Sequence, residues 1–255
     1  RIIIVDNNSK DLNEIRTFCK NTNITLIENK ENFGYGVAAN IGAKEATTDY
    51  LFFLNPDVML RENAIEELIK FNESKPSNIA LNPKILKPSG GYQFKRRSQL
   101  ISFWKTMPRG QPTSDKEVNM LSGSAFFIAR NFFLKLGGFD KKIMLYHEDD
   151  DLFFRITESG GSLYYVHNAI VEHIGGASSS RSPEIAALKA WHMAKSRIYV
   201  SKKHNRNFGK MRTILHGFLL ILSPECIFSR RKRSKHFAFL LGALGKKINH
   251  EGLND

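Results

Sequence analysis

Tyr50-Leu51-Phe52-Phe53-Leu54-Asn55-Pro56-Asp57 joins a five-residue apolar run to a turn that ends in an acid. A run of this kind suits a strand covered on both faces, and Asn-Pro-Asp is ordinary punctuation at a strand's carboxyl end. Upstream, Val37–Ala46 reads as an alanine-rich helix, Ile24–Ile27 as a strand, Lys10–Lys20 as a helix with Leu12, Ile15, Phe18 and Cys19 on one face, and Ile2–Val5 as a buried strand. Strand and helix in alternation predict an α/β domain with a mostly parallel, Rossmann-like sheet flanked by helices.

Downstream, a helix carries Ala64, Ile65, Leu68 and Ile69 towards the core. Residues 84–119 are rich in Pro, Gly, Ser and basic side chains and read as a long loop. A strand at Ala125–Ile128, a short helix from Asn131 and a helix from Glu148 to about Ser159 follow. Two short strands are expected at Leu163–Val166 and Ile170–Glu172. Ser182-Pro183 then caps a long helix predicted to bury Ile185, Leu188, Trp191 and Ile198.

The chain has 255 residues, 42% of them hydrophobic, and can bury a substantial core. Cys19 and Cys226 are far apart and match neither a disulfide framework nor a zinc site. The net charge of +13 is unevenly placed: residues 181–255 hold 16 Lys and Arg against 4 Asp and Glu, and the first 180 hold 22 against 21. A nearly neutral body argues against nucleic acid as the partner of the main domain. The opening residues do not read as a basic-then-apolar leader, and the apolar stretch Gly217–Phe228 is interrupted by Ser223-Pro224-Glu225, so no spanning helix is expected.

Ligands of open parallel sheets sit at the carboxyl ends of the strands, where Asp6 and Asp57 both fall. Asp57 could hold a hard cation, or belong to a plain turn. Glu148-Asp149-Asp150-Asp151 crowds four carboxylates at a helix start, where they could cap the helix or supply a general base. His173, just after a strand, could ligate a metal, touch phosphate or do neither, and Gly34-x-Gly36 could bring amides near a phosphate or form a tight turn.

Together, Val5-Asp6-Asn7-Asn8-Ser9, Asn32-x-Gly34-x-Gly36-x3-Asn40 and Leu54-Asn55-Pro56-Asp57 resemble the donor-binding half of family 2 glycosyltransferases of the GT-A fold. The second half resembles the same family in Gly123-Ser124-Ala125, Gly137-Gly138-Phe139-Asp140, Glu148-Asp149-x-Asp151-Leu152-x-x-Arg155 and His173-Ile174-Gly175-Gly176-Ala177-Ser178. The likeness covers residues 1 to about 200 and is strongest to the rhamnosyltransferase-type branch that builds bacterial surface polysaccharides. Relative to that family, the usual first strand and helix are missing ahead of Ile2.

The resemblance implies a nucleotide-diphosphate sugar donor, a saccharide or lipid-linked acceptor, inverting transfer and a divalent metal, Mg2+ or Mn2+. Asp6, Asn8, Gly34, Gly36, Asn40 and Asn55 would bind the donor, with Asp6 at the nucleobase. Asp57 would hold the metal, His173 would complete the metal or diphosphate site, and Asp149 would be the catalytic base. Glu148, Asp151 and Gly123 would lie on the acceptor side, with Glu148 and Asp151 supporting acceptor contacts or the helix start. We expect a transferase domain over 1–205 and a basic amphipathic helical segment over 206–255 that touches an anionic membrane surface from the cytoplasmic side. A non-catalytic sugar-nucleotide binder and a basic nucleic-acid-binding module are the competing classes.

Overall fold

The computed structural model describes residues 1–75, 78–102, 104, 106–175 and 182–248. It divides into two compact units, one of residues 1–42, 141–148 and 179–255, the other of 43–140 and 149–178.

In the first unit β1 (Ile3–Asp6) and β2 (Thr25–Glu28) pair in parallel, Ile4 beside Leu26 and Val5 beside Ile27. α1 (Leu12–Asn21) connects them, and its Arg16 grips Glu28 at 2.7 and 2.6 Å. α2 (Tyr35–Glu45) follows. Gly34, at φ +86°, opens this helix where a Cβ would meet the Met144 carbonyl at 2.3 Å, so only glycine fits.

The second unit is built on β3 (Tyr50–Leu54), β4 (Val58–Leu60), β5 (Ile79–Leu86), β6 (Tyr92–Gln93), β7 (Lys116–Val118), β8 (Ala125–Ala129) and β9 (Ser162–His173), in the order β3-β8-β5-β9-β4 with β6 on β5 and β7 on β9. α3 (Ala64–Glu73), α4 (Arg130–Lys135) and α5 (Glu148–Glu158) flank it. Neighbouring residues of β8 show why its sequence is apolar throughout. Phe127 packs with Leu68, Leu81, Val166, Tyr50 and Phe52, whereas Phe126 stacks on Phe53 at 4.6 Å and meets Phe153 edge-on at 5.2 Å. With both faces covered, each buried phenyl contributes on the order of 1.5–3 kcal/mol.

Helices flank the sheets as expected, but the strand directions are mixed. β1–β2 and β5–β9 are parallel, while β3–β8, β5–β8, β4–β9, β5–β6 and β7–β9 are antiparallel. Apolar runs report burial, not direction.

The loop expected over 84–119 is also more structured than its composition suggests. β5 enters it, β6 and β7 lie within it, and Arg96 donates to the carbonyls of Met107 and Pro108. Asn82-Pro83 hid β5: Pro83 sits where the ladder to β9 shifts register, a place where proline is tolerated. The same shift merges the two short strands expected at 163–166 and 170–172 into one, β9.

α6 (Pro183–Lys203) begins at the expected Ser182 cap, whose side chain accepts from the Ile185 amide at 3.2 Å. Its buried stripe is Ala186, Ala190, Ala194 and Val200, and Ile185, Leu188, Trp191 and Ile198 are only partly covered. The reason is close approach of a partner helix. α7 (Gly209–Ile221), α8 (Glu225–Phe228) and α9 (Arg230–Ala243) follow, and a Cβ on Gly242 of α9 would meet the Trp191 carbonyl at 2.6 Å.

Candidate active site

The Asn-Pro-Asp segment is a tight turn, closed by the Val58 amide donating to the Asn55 carbonyl at 3.1 Å. The Asn55 amide in turn donates to the Ser124 carbonyl at 2.9 Å. This turn delivers Asp57, 8% exposed, to the start of β4, where Val58 pairs with His173 of β9. Asp57 Oδ1 consequently lies 3.1 Å from His173 Nε2, although 116 positions separate them.

His173 Nδ1 lies 2.9 Å from Gln93 Oε1. The Gln93 amide is oriented from its other end, because Nε2 donates to the Ser122 hydroxyl at 2.8 Å and towards that of Ser124 at 3.4 Å. Gln93 Oε1 thus takes a proton from Nδ1, which leaves Nε2 presenting a lone pair to the Asp57 carboxylate. Two acceptors facing one another call for a proton or a cation between them, and a histidine that donates its second ring nitrogen is the usual arrangement at a metal. Asp57 and His173 therefore could hold a hard divalent cation whose remaining positions go to phosphate oxygens and water. Among the described residues, no group of three His, Cys, Asp or Glu side chains gathers as a fuller cage.

From Ser122 the network reaches the acidic cluster. The Gly123 amide donates to Asp149 Oδ2 at 3.2 Å, and a Cβ at Gly123 would stand 2.9 Å from the Asp149 Cβ, so a side chain here would displace the acid. Lys95 Nζ binds the same oxygen at 2.7 Å and Asp150 Oδ1 at 3.1 Å. Burial alone would depress the Lys95 ammonium, but the charges of Asp149 and Asp150 and the hydrogen bonds to them outweigh it and raise its pKa well above the ordinary lysine value. Asp149 Oδ1 accepts the Asp150 amide at 2.8 Å, fixing the carboxylate at the first turn of α5.

The structure thus gathers Asp57, His173, Gly123 and Asp149, with Asn55 on the same turn, in one unit. Glu148 opens α5 and is partly buried. Asp151 is fully buried, and Arg155 holds it at 2.9 Å while donating to the carbonyls of Leu136 and Gly138, the helix-start role of the two expected for it. It pins α5 to the Gly137-Gly138 turn.

The expected donor residues Asp6, Asn8, Gly34, Gly36 and Asn40 belong to the other unit. Asp6 Oδ2 accepts the amides of Asn8 and Ser9 at 2.9 and 3.0 Å and shapes the turn after β1. Asn7 Nδ2 reaches the Gly34 carbonyl at 3.2 Å, and the Asn32 side chain accepts the Gly34 amide at 3.0 Å. Asn40 is buried in α2. Gly176, Ala177 and Ser178 lie outside the described residues.

Gln93 and Lys95 were missed by sequence reasoning. Both sit in the basic, weakly periodic stretch, and nothing local separates Lys95 from Arg96 and Arg97.

The fold is that of the GT-A glycosyltransferases. Among solved structures, the chain aligns with GalNAc-T7 bound to UDP, GalNAc and Mn2+ at TM-score 0.61 and 18% identity, covering 95% of this chain and 49% of that one. It also aligns with the mannosyltransferase PcManGT of Pyrobaculum calidifontis, in complex with GDP-Man and Mn2+, at TM-score 0.55 and 12% identity, covering 96% and 76%. The chain spans about half the length of the first of these.

Residues 1–137 match the model of glycosyl transferase family 2, and the chain belongs to that family. Among curated relatives, it is 28% identical to N-acetylglucosaminyl-diphospho-decaprenol L-rhamnosyltransferase of Mycobacterium tuberculosis, over 92% of this chain and 85% of the relative. It is also 28% identical to the rhamnosyltransferase WbbL of Escherichia coli K12, over 78% and 76%.

Proposed function

We propose that this chain is an inverting glycosyltransferase that moves a sugar from a nucleotide-diphosphate donor to a hydroxyl of a saccharide or lipid-linked acceptor in surface polysaccharide synthesis. Rhamnose is the sugar suggested by the two curated relatives named for that activity. The observation that carries the reading is that Asp57, His173, Gln93 and Ser122 lie in turn within hydrogen-bond distance, and that the amide of Gly123, next along the chain, donates to Asp149. Such a frame would hold a candidate metal-ligand pair and a candidate base together.

In this reading Asp149 takes the proton of the acceptor hydroxyl. The oxygen attacks the anomeric carbon opposite the diphosphate, and the bond to the diphosphate breaks with its electron pair going to the leaving nucleotide. Lys95 and the Gly123 amide hold the carboxylate in place during attack. A divalent cation bound at Asp57 and His173, Mg2+ or Mn2+, would neutralise charge on the departing diphosphate. Asp6, Asn8, Gly34, Gly36, Asn40 and Asn55 would bind the donor, with Asp6 at the nucleobase. The enzyme acts on the cytoplasmic side, with the basic C-terminal helices against the membrane.

Asp149→Asn tests the assignment. Transfer should fall by at least about a thousandfold while donor binding, followed by calorimetry with nucleotide sugar and Mn2+, stays near wild type. Near-normal turnover in that variant removes Asp149 as the base. Donor binding without any turnover in the wild type would instead favour a non-catalytic binder.

A further inference from the structure

The outer face of α7 is built the wrong way round for a helix facing water. Thr213 and Gly217 are its buried residues, and Ile214 and Leu220 pack on the cluster of Ala190, Ala194, Phe239 and Ala243. The opposite face should be polar. Instead, Met211, Leu215, Phe218, Leu219 and Leu222, at spacing i, i+4, i+7, i+8 and i+11, are all at least half exposed, Leu222 at 79%. After the short turn that follows, Ile227 and Phe228 are exposed at 72% and 87%.

Charge continues the pattern. Lys210 and Arg212 flank the apolar stripe, and both are exposed. α9 then opens with Arg230-Arg231-Lys232-Arg233 and has no acid in its first turn. Lys232 pairs with Glu225 at 2.6 Å and Arg233 donates to the Cys226 carbonyl at 3.1 Å, while Arg230 and Arg231 stand exposed at the positive end of the helix dipole, a placement that an anionic surface would offset. A cavity of about 540 Å3 at the start of α7, with Ile198, Phe208, Met211 and Ile214 among its walls, also includes Lys202 and Lys210. Apolar volume beside ammonium groups is the chemistry of an acyl chain below an anionic headgroup.

We propose that the outer face of α7, continued by Ile227 and Phe228, inserts among the headgroups of an anionic bilayer leaflet, with Lys210, Arg212, Arg230 and Arg231 against its phosphates. This surface deepens the peripheral-membrane part of the proposed function and does not depend on the catalytic assignment. It differs from a general basic tail in naming the wedge. Ala238, Phe239 and Leu240, which in sequence look equally available, are buried. No described helix is long and apolar enough to cross a membrane, so the contact is with one leaflet.

The test is co-sedimentation of the whole chain with phosphatidylcholine vesicles, with and without phosphatidylglycerol. We expect binding only to the anionic vesicles. Arg230→Gln with Arg231→Gln should weaken it by about fivefold per charge. Leu215→Ser, Leu219→Ser and Leu222→Ser together should weaken it by about tenfold or more. These positions are exposed, and an unchanged thermal melt verifies the fold of each variant. As a second readout, the indole introduced by Leu222→Trp should shift to shorter emission wavelength on anionic vesicles and be quenched by brominated lipid. Wild-type binding that persists in the triple serine variant, with no quenching of the introduced indole, overturns the wedge and leaves the peripheral reading standing. Absence of wild-type binding to any vesicle overturns both. A wild-type dimer that the triple variant converts to monomer, with vesicle binding intact, assigns the face to a second copy of the chain and also overturns the proposal.

Discussion

Lys95 and Gln93 decide how the site is held, and each makes a separable prediction. Lys95 faces two carboxylates at 2.7 and 3.1 Å with a quarter of its side chain still meeting solvent. Lys95→Met removes the ammonium that faces both Asp149 and Asp150, and unfolding free energy measured in urea should drop by about 1–3 kcal/mol. Because the folded-state pKa of Lys95 is raised, its contribution is fully present below the unfolded value of about 10.4 and is lost as pH climbs through the higher folded value. The gap between wild type and Lys95→Met should therefore stay level from about pH 6 to 9 and close only in strong alkali. Gln93 acts through His173. Gln93→Ala frees the imidazole to rotate, and the Kd for Mn2+, followed by the electron paramagnetic resonance of the free ion, should rise roughly ten- to a hundredfold with the melting curve little changed.

At the scale of elements, two devices stand out. β4 is only three residues long, yet its pairing with β9 carries Asp57 to His173. α6 and α9 approach so closely that their contact is lined by alanine and glycine. Gly242→Ala would drive a methyl group into the Trp191 carbonyl, and the helices would have to part. The expected cost is about 1–3 kcal/mol, visible as a lower midpoint in thermal unfolding followed by far-ultraviolet circular dichroism. Gly245, where an added Cβ meets nothing within 4 Å, does not carry this steric clash.

Across the whole molecule, charge and ligand linkage matter most. The excess of positive charge falls after residue 180, so the body that holds Asp57 and Asp149 is close to neutral by composition. Stability of the chain should respond to ligands that only the native state binds. Mn2+ with a nucleoside diphosphate should raise the melting temperature more than either alone, by up to about 2.7 kcal/mol of stabilisation at a hundred times Kd. Asp57→Ala should remove the part that depends on Mn2+, as should chelation with EDTA.

By itself the sequence determined the α/β class, the strand at Tyr50–Leu54, the helix beginning at Glu148 and the family, because apolar runs, caps and ordered motifs are local properties. Only the tertiary structure decided strand direction, the burial of Asp151 against Arg155, the alanine stripe of α6, and the entry of Gln93 and Lys95 into the site. Those depend on which distant segments meet. Hydrophobic pattern records that a residue is covered, and long-range pairing alone fixes what covers it.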